Sequence, residues 1–405
     1  MPKLLQIDSC LGILSTGKIS EGIAQAAMQQ GWDCYIAHGA RYVGETCQKS
    51  YQIGSKATEY LHFIKSFLFD SHGLGSIYAT KQLVSWIKDL RPDVIQLHCI
   101  HGYYLNYEIL FKYLNTTNIP IVWTFHDCWA ITGHCSHFDA IGCKKWRTEC
   151  NDCPLIKDYP RSILHNTKKS FLRKKKLFTE NKNLHIVSVS KWMDAIIKGS
   201  FLEENRSIVI RNGVDLNVFS PCIQKPENPD KITILGVAST WTNRKGLSDF
   251  LLLRERLPVD SYEIVLVGLS NKQLKRLPHT IKGVPITHSQ IELATYYKSS
   301  DIFVNLTYSD TAPVVNIEAL ACGIPVITYN SGGSIEAVDD ATGIVVEKGD
   351  INGIVLAIHK IENAFNDAYS TKKCRSRAEV FFNKEESYMS YILFYNELIS
   401  GNRSI

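Results

Sequence analysis

Residues 309–333, SDTAPVVNIEALACGIPVITYNSGG, place two carboxylates, Asp310 and Glu318, with seven residues between them. Small residues follow (Ala319, Ala321, Cys322, Gly323), then a β-branched stretch over 324–328 and the pair Gly332-Gly333. The pattern predicts a helix over 312–321 that leaves a strand at 301–306 and feeds another at 324–328. Eight positions are slightly more than two helical turns, so both acids project toward roughly one side. Carboxylates accept hydrogen bonds from hydroxyls, and a pair at this spacing suits a polyol such as ribose or hexose. A helix cap at Asp310 and a surface acid at Glu318 would explain the same residues.

Outward from this stretch, strand and helix alternate along the chain. Strand candidates KLLQI (3–7), DCYIA (33–37), DVIQLH (93–98), PIVWTF (120–125) and LHIVSV (184–189) are separated by helical segments, among them 19–30, 79–90 and 106–114. Near 206–230 the texture turns polar and proline-bearing, with SIVIRNGVDLNVFSP followed by QKPENPD. Alternation then restarts with KITILGVA (231–238), YEIVLVG (262–268), DIFVNL (301–306), IPVIT (324–328) and GIVVE (343–347). Short apolar strands between amphipathic helices define βαβ units and parallel sheets. The expected division is an N-terminal Rossmann-like domain at 1–205, a second at 206–375, and C-terminal helices at 376–405 that cross back to the first. In open parallel sheets ligands sit at the carboxyl ends of the strands. Two such domains suit a two-substrate enzyme with one phosphorylated ligand, although a closed binding protein shares the architecture.

A chain of 405 residues exceeds one ordinary core and implies two domains. Its 45% hydrophobic and 21% charged content is that of a globular protein. No apolar run has the roughly 18 residues of a spanning helix, and MPKLLQIDSC lacks a signal-peptide core. The expected location is therefore the cytoplasm. The net charge of +5 is uneven, with 24 Lys+Arg against 16 Asp+Glu in residues 1–200. Much of that excess lies in HNTKKSFLRKKKLF (165–178), which carries Lys168, Lys169, Arg173, Lys174, Lys175 and Lys176. Such a run meets phosphates on a membrane or simply forms a solvated helix face. No nucleic-acid module signature accompanies it, so no nucleic-acid partner is expected.

Two loops resemble anion cradles. SCLGILSTGK (9–18), after the first strand, has turn-forming Gly12 and Gly17 before a helix, but neither the GxGxxG nor the GxxxxGK[ST] spacing. TNRKGLSDF (242–250) puts Arg244 and Lys245 where a helix begins, an unfavourable place for cations unless an anion binds there. Five of the twelve cysteines lie between 128 and 153. Cys135, Cys143, Cys150 and Cys153 could hold a structural zinc, although their spacing matches no common zinc module and free buried thiols fit as well.

RNGVD (211–215), RKG (244–246), the Asp310-x7-Glu318 pair with ALACGIPVI, and SGGSIEAV (331–338) together resemble retaining glycosyltransferases of family 4, with the GT-B fold. LHCIHGYYLN (97–106), WTFHDCWAITGHCSH (123–137) and the cysteine cluster look like a bacterial exopolysaccharide, colanic-acid-type subgroup. The resemblance implies an α/β GT-B protein, with two Rossmann-like domains facing across a cleft. It makes Glu318 the nucleotide ribose ligand and Asp310 a ligand of the transferred sugar. Val314 and Val315 would offer backbone N–H groups to the donor, Gly17 would line the same site, and Arg244 and Lys245 would neutralise the diphosphate. His126 matches the histidine that reaches the donor sugar from the opposite domain, as a positioning donor. Asp310 stands where the family has Glu, and Pro313 where it has Gly, which puts the sugar's identity in doubt.

The implied reaction moves a hexose from a UDP- or GDP-sugar to a glycan acceptor, lipid-linked, with retention and in exopolysaccharide or cell-surface polysaccharide synthesis. No Asp-x-Asp pair occurs in the chain, so cationic side chains rather than a metal are expected at the catalytic site, and no catalytic cofactor. The basic helix 168–176 would hold the enzyme against an anionic membrane, at the inner face of the cell membrane. A nucleotide-sugar epimerase of related fold and a non-catalytic nucleotide-sugar sensor are the rival readings.

Overall fold

The computed structural model describes residues 1–44, 46, 49–222, 231–365 and 368–402. The segment QKPENPD (224–230) lies outside the described residues. Two compact units divide the chain: Met1–Ile210 with Tyr388–Ile405, and Arg211–Ser387.

The first unit contains β1 (Lys3–Leu11), β2 (Asp33–Val43), β3 (Lys49–Gln52), β4 (Val94–Leu97), β5 (Ile121–Phe125), β6 (Leu184–Ser188) and β7 (Ser207–Val209). They form one sheet in the order β3-β2-β1-β4-β5-β6-β7. The second contains β8 (Ile232–Val237), β9 (Tyr262–Leu269), β10 (Ile281–Pro285), β11 (Ile302–Asn305), β12 (Val326–Tyr329) and β13 (Gly343–Val346). Their order is β10-β9-β8-β11-β12-β13. Every ladder is parallel. Central strands such as β4 and β5 are buried on both faces, as their mostly apolar sequences require once helices cover the sheet; their polar residues, Gln96 and Thr124, bond each other. Each sheet therefore reverses its winding at one point, β1/β4 in the first unit and β8/β11 in the second. Loops leaving those strands splay apart there and open a crevice at their carboxyl ends.

Two edge strands escape a search for apolar alternation. β3 is the short polar sequence KSYQ. β10 carries Gly283 and Pro285, which an edge position tolerates because its outer N–H groups need no sheet partner. The expected loop over Asp8–Lys18 is shorter in the structure. β1 continues to Leu11, and a helix spans Leu14–Gln29. The turn between them is tight because Gly12 and Leu14 both take left-handed backbone angles, φ 65° and 58°.

The terminal helix, Lys384–Asn402, enters the first unit's core from Tyr388 onward. Tyr391, Ile392, Tyr395 and Leu398 pack with Leu4, Ile23, Trp32, Val122 and Val187. Their polar ends are matched too: the Tyr395 hydroxyl donates to Gln96 Oε1 at 2.9 Å. Without that acceptor its burial would cost about 1–3 kcal/mol.

Candidate functional site

In the second unit the predicted cations and the first acid meet at the β8/β11 switch point. The loop after β8 closes into a short 3-10 turn, Asn243–Lys245, capped by the Thr242 hydroxyl. Gly246 then turns left-handed (φ 76°) against Leu306, where any Cβ would strike the Leu306 carbonyl oxygen. This close approach brings the loop after β11 alongside. Lys245 Nζ lies 2.6 Å from Asp310 Oδ2. Arg244 donates to the Ser309 carbonyl at 2.7 Å, while its own carbonyl accepts from the Tyr308 N–H at 2.8 Å. Arg244 thus fixes the loop that carries Asp310.

The glycine pair after β12 completes the support. Gly333 N–H donates to the Asp310 carbonyl at 3.0 Å, and Gly332, left-handed at φ 52°, sits where a Cβ would collide with that same oxygen. From the RNGVD motif, Asn212 Nδ2 donates to the Ala312 carbonyl at 3.2 Å. The loop carrying Asp310 is therefore held from three separate segments, by the Arg244 and Asn212 side chains and the Gly333 N–H.

The predicted helix spans Val314–Ala321, with Pro313 as its N-cap. Val314 and Val315 are half-buried in its first turn, where backbone N–H groups lack intrahelical acceptors. Glu318 is buried, and one of its carboxylate oxygens accepts from the Tyr297 hydroxyl at 2.9 Å. Burial and the Glu318 charge push the Tyr297 hydroxyl well above its ordinary pKa, so it stays a donor. Beneath the loop, Asn316 accepts from Asn305 at 2.7 Å and donates to Ser334 at 3.2 Å. Periodicity reads Asn305, Asn316 and Tyr297 as ordinary core positions. Their polarity inside apolar runs was the available signal.

In the first unit, Gly17 is not in a loop. It lies in the first turn of helix Leu14–Gln29, buried against Cys10 and Gly12. His126 follows β5 and belongs to a polar chain absent from the sequence reading. Gln6 Nε2 donates to the Ser20 carbonyl at 2.6 Å, which fixes its amide orientation. His98 Nε2 is 2.9 Å from Gln6 Oε1, and His98 Nδ1 is 3.1 Å from His126 Nε2. Burial holds His98 well below the usual histidine range and pulls His126 down to about 4, so both rings are neutral at pH 7. The amide oxygen can only accept, so His98 carries its proton on Nε2 and accepts at Nδ1. His126 then donates from Nε2, and its Nδ1 is an acceptor.

Asp127 bonds His101 Nε2 at 2.8 Å and accepts from the Trp129 N–H at 2.8 Å. Burial opposes its ionisation, but His101 and these bonds hold the carboxyl well below the usual range. Cys99, His101 and Asp127 place three potential metal donors within 4.8 Å. The imidazole and carboxylate already satisfy each other there.

The basic helix spans Thr167–Thr179 and does not present one cationic face. Lys174 is fully buried, its Nζ donating to the Trp129 and Thr132 carbonyls at 2.7 and 3.1 Å. Burial pulls it down to about 7. Lys168 pairs with Glu149 and Arg173 with Glu108. Lys168, Lys169, Lys175 and Lys176 remain exposed.

Residues 21–218 match the Glycosyltransferase Family 4 model, and residues 222–379 match Glycosyl transferases group 1. Together they span most of the chain, which has the GT-B fold and carries matches to these two glycosyltransferase domains in that order. The putative colanic acid biosynthesis glycosyl transferase WcaC of Escherichia coli K12 is 26% identical over 327 residues, 76% of this chain and 77% of that one. The capsular polysaccharide biosynthesis glycosyltransferase CapM of Staphylococcus aureus is 40% identical over 202 residues, 45% of this chain and 52% of its own. Among solved structures, sucrose-phosphate synthase from Thermosynechococcus elongatus shares the fold with a TM-score of 0.73 at 16% identity. That match covers 99% of this chain and 100% of the other.

Asp8, within β1, gives a testable consequence. Burial pushes its carboxyl from 3.8 up to about 7, and Oδ2 has no hydrogen-bond partner among the described residues. The folded state therefore binds a proton that the unfolded state releases, so this group's stabilisation is lost as pH rises toward 7. Asp8→Asn should gain on wild type by on the order of 4 kcal/mol between about pH 4 and pH 8. Urea-unfolding midpoints measured across that range check it; a difference independent of pH would contradict the assignment.

Proposed function

We propose that the chain transfers a hexose from a UDP- or GDP-sugar to a lipid-linked glycan, with retention, during synthesis of a cell-surface polysaccharide. The observation that carries this reading is the Lys245–Asp310 pair at 2.6 Å, set at the switch point beside the N-terminus of helix Val314–Ala321. The names of the two relatives above support the polysaccharide context. In the proposed reaction the sugar C1–O bond breaks and its electrons pass to the diphosphate. Charge builds on that leaving group, and Lys245 with the helix N–H groups stabilises it. Asp310 accepts from a sugar hydroxyl, and Glu318 accepts from the ribose. The acceptor hydroxyl bonds to C1 on the face the diphosphate leaves, giving its proton to the departing phosphate oxygen. No metal enters this scheme.

The first unit would take the acceptor at an anionic membrane. Among the described residues no helix is long and apolar enough to cross a bilayer. Exposed Lys168, Lys169, Lys175 and Lys176 instead lie in chain sequence after exposed Ile163 and Leu164. The Ile163 N–H bonds the Phe67 carbonyl, joining this segment to a helix that exposes Leu61, Leu68 and Phe69. Apolar side chains beside lysines suit the headgroup boundary, each cation adding up to about 1 kcal/mol at an anionic surface.

A thermal-shift panel of UDP, GDP and ADP, with and without EDTA, tests the donor site. One diphosphate should raise the melting temperature despite chelation, and Lys245→Ala and Glu318→Ala should each abolish the rise. No shift from any nucleotide would remove the donor assignment. For the membrane face, sedimentation with phosphatidylglycerol vesicles should exceed that with neutral vesicles at least tenfold and weaken with salt. Changing the four exposed lysines to Glu should abolish it; equal binding to neutral vesicles would refute an electrostatic contact.

A further inference from the structure

The segment between Cys128 and Cys153 folds into three short 3-10 turns, Trp129–Ile131, Phe138–Ile141 and Lys145–Arg147. The second and third turns border a small cavity of about 10 Å³, whose walls include Cys135, Cys143, Cys150, Cys153 and His134. That is room for one water-sized particle, so a single ion fits and an organic ligand does not.

The donors around it are prepared for a cation. His134 is buried, and its Nδ1 meets the Asp70 carboxylate at 2.5 Å. Asp70 is itself fixed by the Asn166 N–H at 2.9 Å and, through its own N–H, by the Ser162 hydroxyl at 2.9 Å. A carboxylate accepts from Nδ1–H, so the lone pair of the neutral ring is on Nε2. That buried Nε2 has no hydrogen-bond partner among the described residues. An imidazole anchored by a carboxylate, with its other nitrogen unmatched, is the orientation that metal-binding histidines adopt.

The thiols show the same preparation. Cys135, Cys150 and Cys153 are buried, whereas Cys143 is half-exposed. The Cys153 sulfur accepts from the Cys135 thiol and from the Leu155 N–H. Cys150 accepts from the Gly133 N–H. Backbone N–H groups aimed at sulfur stabilise thiolates.

We propose that this cavity is a structural zinc site, with Cys135, Cys150, Cys153 and His134 Nε2 as its four ligands and Cys143 outside the set. Three thiolates and one imidazole are a common tetrahedral set for structural zinc. The choice of His134 over Cys143 follows from burial and from the otherwise orphaned nitrogen. No three of these donors lie within 4.8 Å of one another. Zinc, at about 2.3 Å from sulfur, would draw them inward. On binding, the remaining thiol protons are released to solvent and four bonds to the ion form, with no change of oxidation state.

Metal analysis of the full chain, purified without chelator, tests this directly. About one zinc per chain is expected for wild type and for Cys143→Ser, and less than about a tenth of that for His134→Ala and for Cys150→Ser with Cys153→Ser. Should the depleted variants fail to fold, cobalt(II) substitution of wild type gives a second readout: tetrahedral bands with charge transfer from three thiolates. Zinc retained by His134→Ala but lost from Cys143→Ser would overturn the imidazole ligand. A metal-free chain that takes up no added zinc, or a Cys135–Cys153 disulfide found by mass, would overturn the site.

Discussion

The ion pair between Lys245 and Asp310 depends on backbones approaching more closely than side chains allow. Gly246 lies against the carbonyl of Leu306, and Gly332 against that of Asp310. Neither position admits a Cβ, and both require left-handed angles that glycine adopts without strain. With those contacts in place, loops after β8, β11 and β12 converge on one carboxylate. Arg244, held to Ser309 by a charge-assisted bond, adds rigidity at little entropic cost because its planar guanidinium is pre-organised. Within residues 309–333, Gly332 sets the approach and Asp310 occupies it.

A different constraint orders the first unit, where polar groups are buried in a sheet core and must be matched in sequence. The Ser20 carbonyl fixes the Gln6 amide, Gln6 fixes the His98 tautomer, and His98 fixes that of His126. Each link removes a choice from the next. The outcome is a neutral His126 imidazole, which does not act as a cation. Asp8 departs from this pattern, since one oxygen is unmatched and its ionisation is opposed by burial.

Much of this was legible in the sequence for physical reasons. Strands buried on both faces are mostly apolar, so β4, β5, β11 and β12 announced themselves despite single polar residues, and parallel sheets followed from the intervening helices. β3 and β10 did not, because edge strands are free to be polar or to carry proline. Lys245 was legible as a cation placed against local preference at a helix start, and Asp310 by its spacing from Glu318. Their pairing was not, since it depends on Gly246 and Gly332 meeting carbonyls far along the chain. The basic run over 168–176 misled in one respect: a charge count cannot show that Lys174 caps the carbonyls of Trp129 and Thr132 from inside the core. Nor could residue spacing reveal that His134 is oriented by Asp70, 64 positions away.

The central claim is that the Lys245 ammonium, paired with Asp310 in the free protein, is the charge that receives a nucleoside diphosphate. Isothermal titration of the preferred diphosphate and of its parent nucleoside, on wild type and on Lys245→Ala, isolates that interaction as a double difference. The account predicts that wild type favours the diphosphate over the nucleoside by at least tenfold, about 1.4 kcal/mol. Lys245→Ala should lose most of that preference while binding the nucleoside as wild type does. An undiminished preference in Lys245→Ala would contradict it.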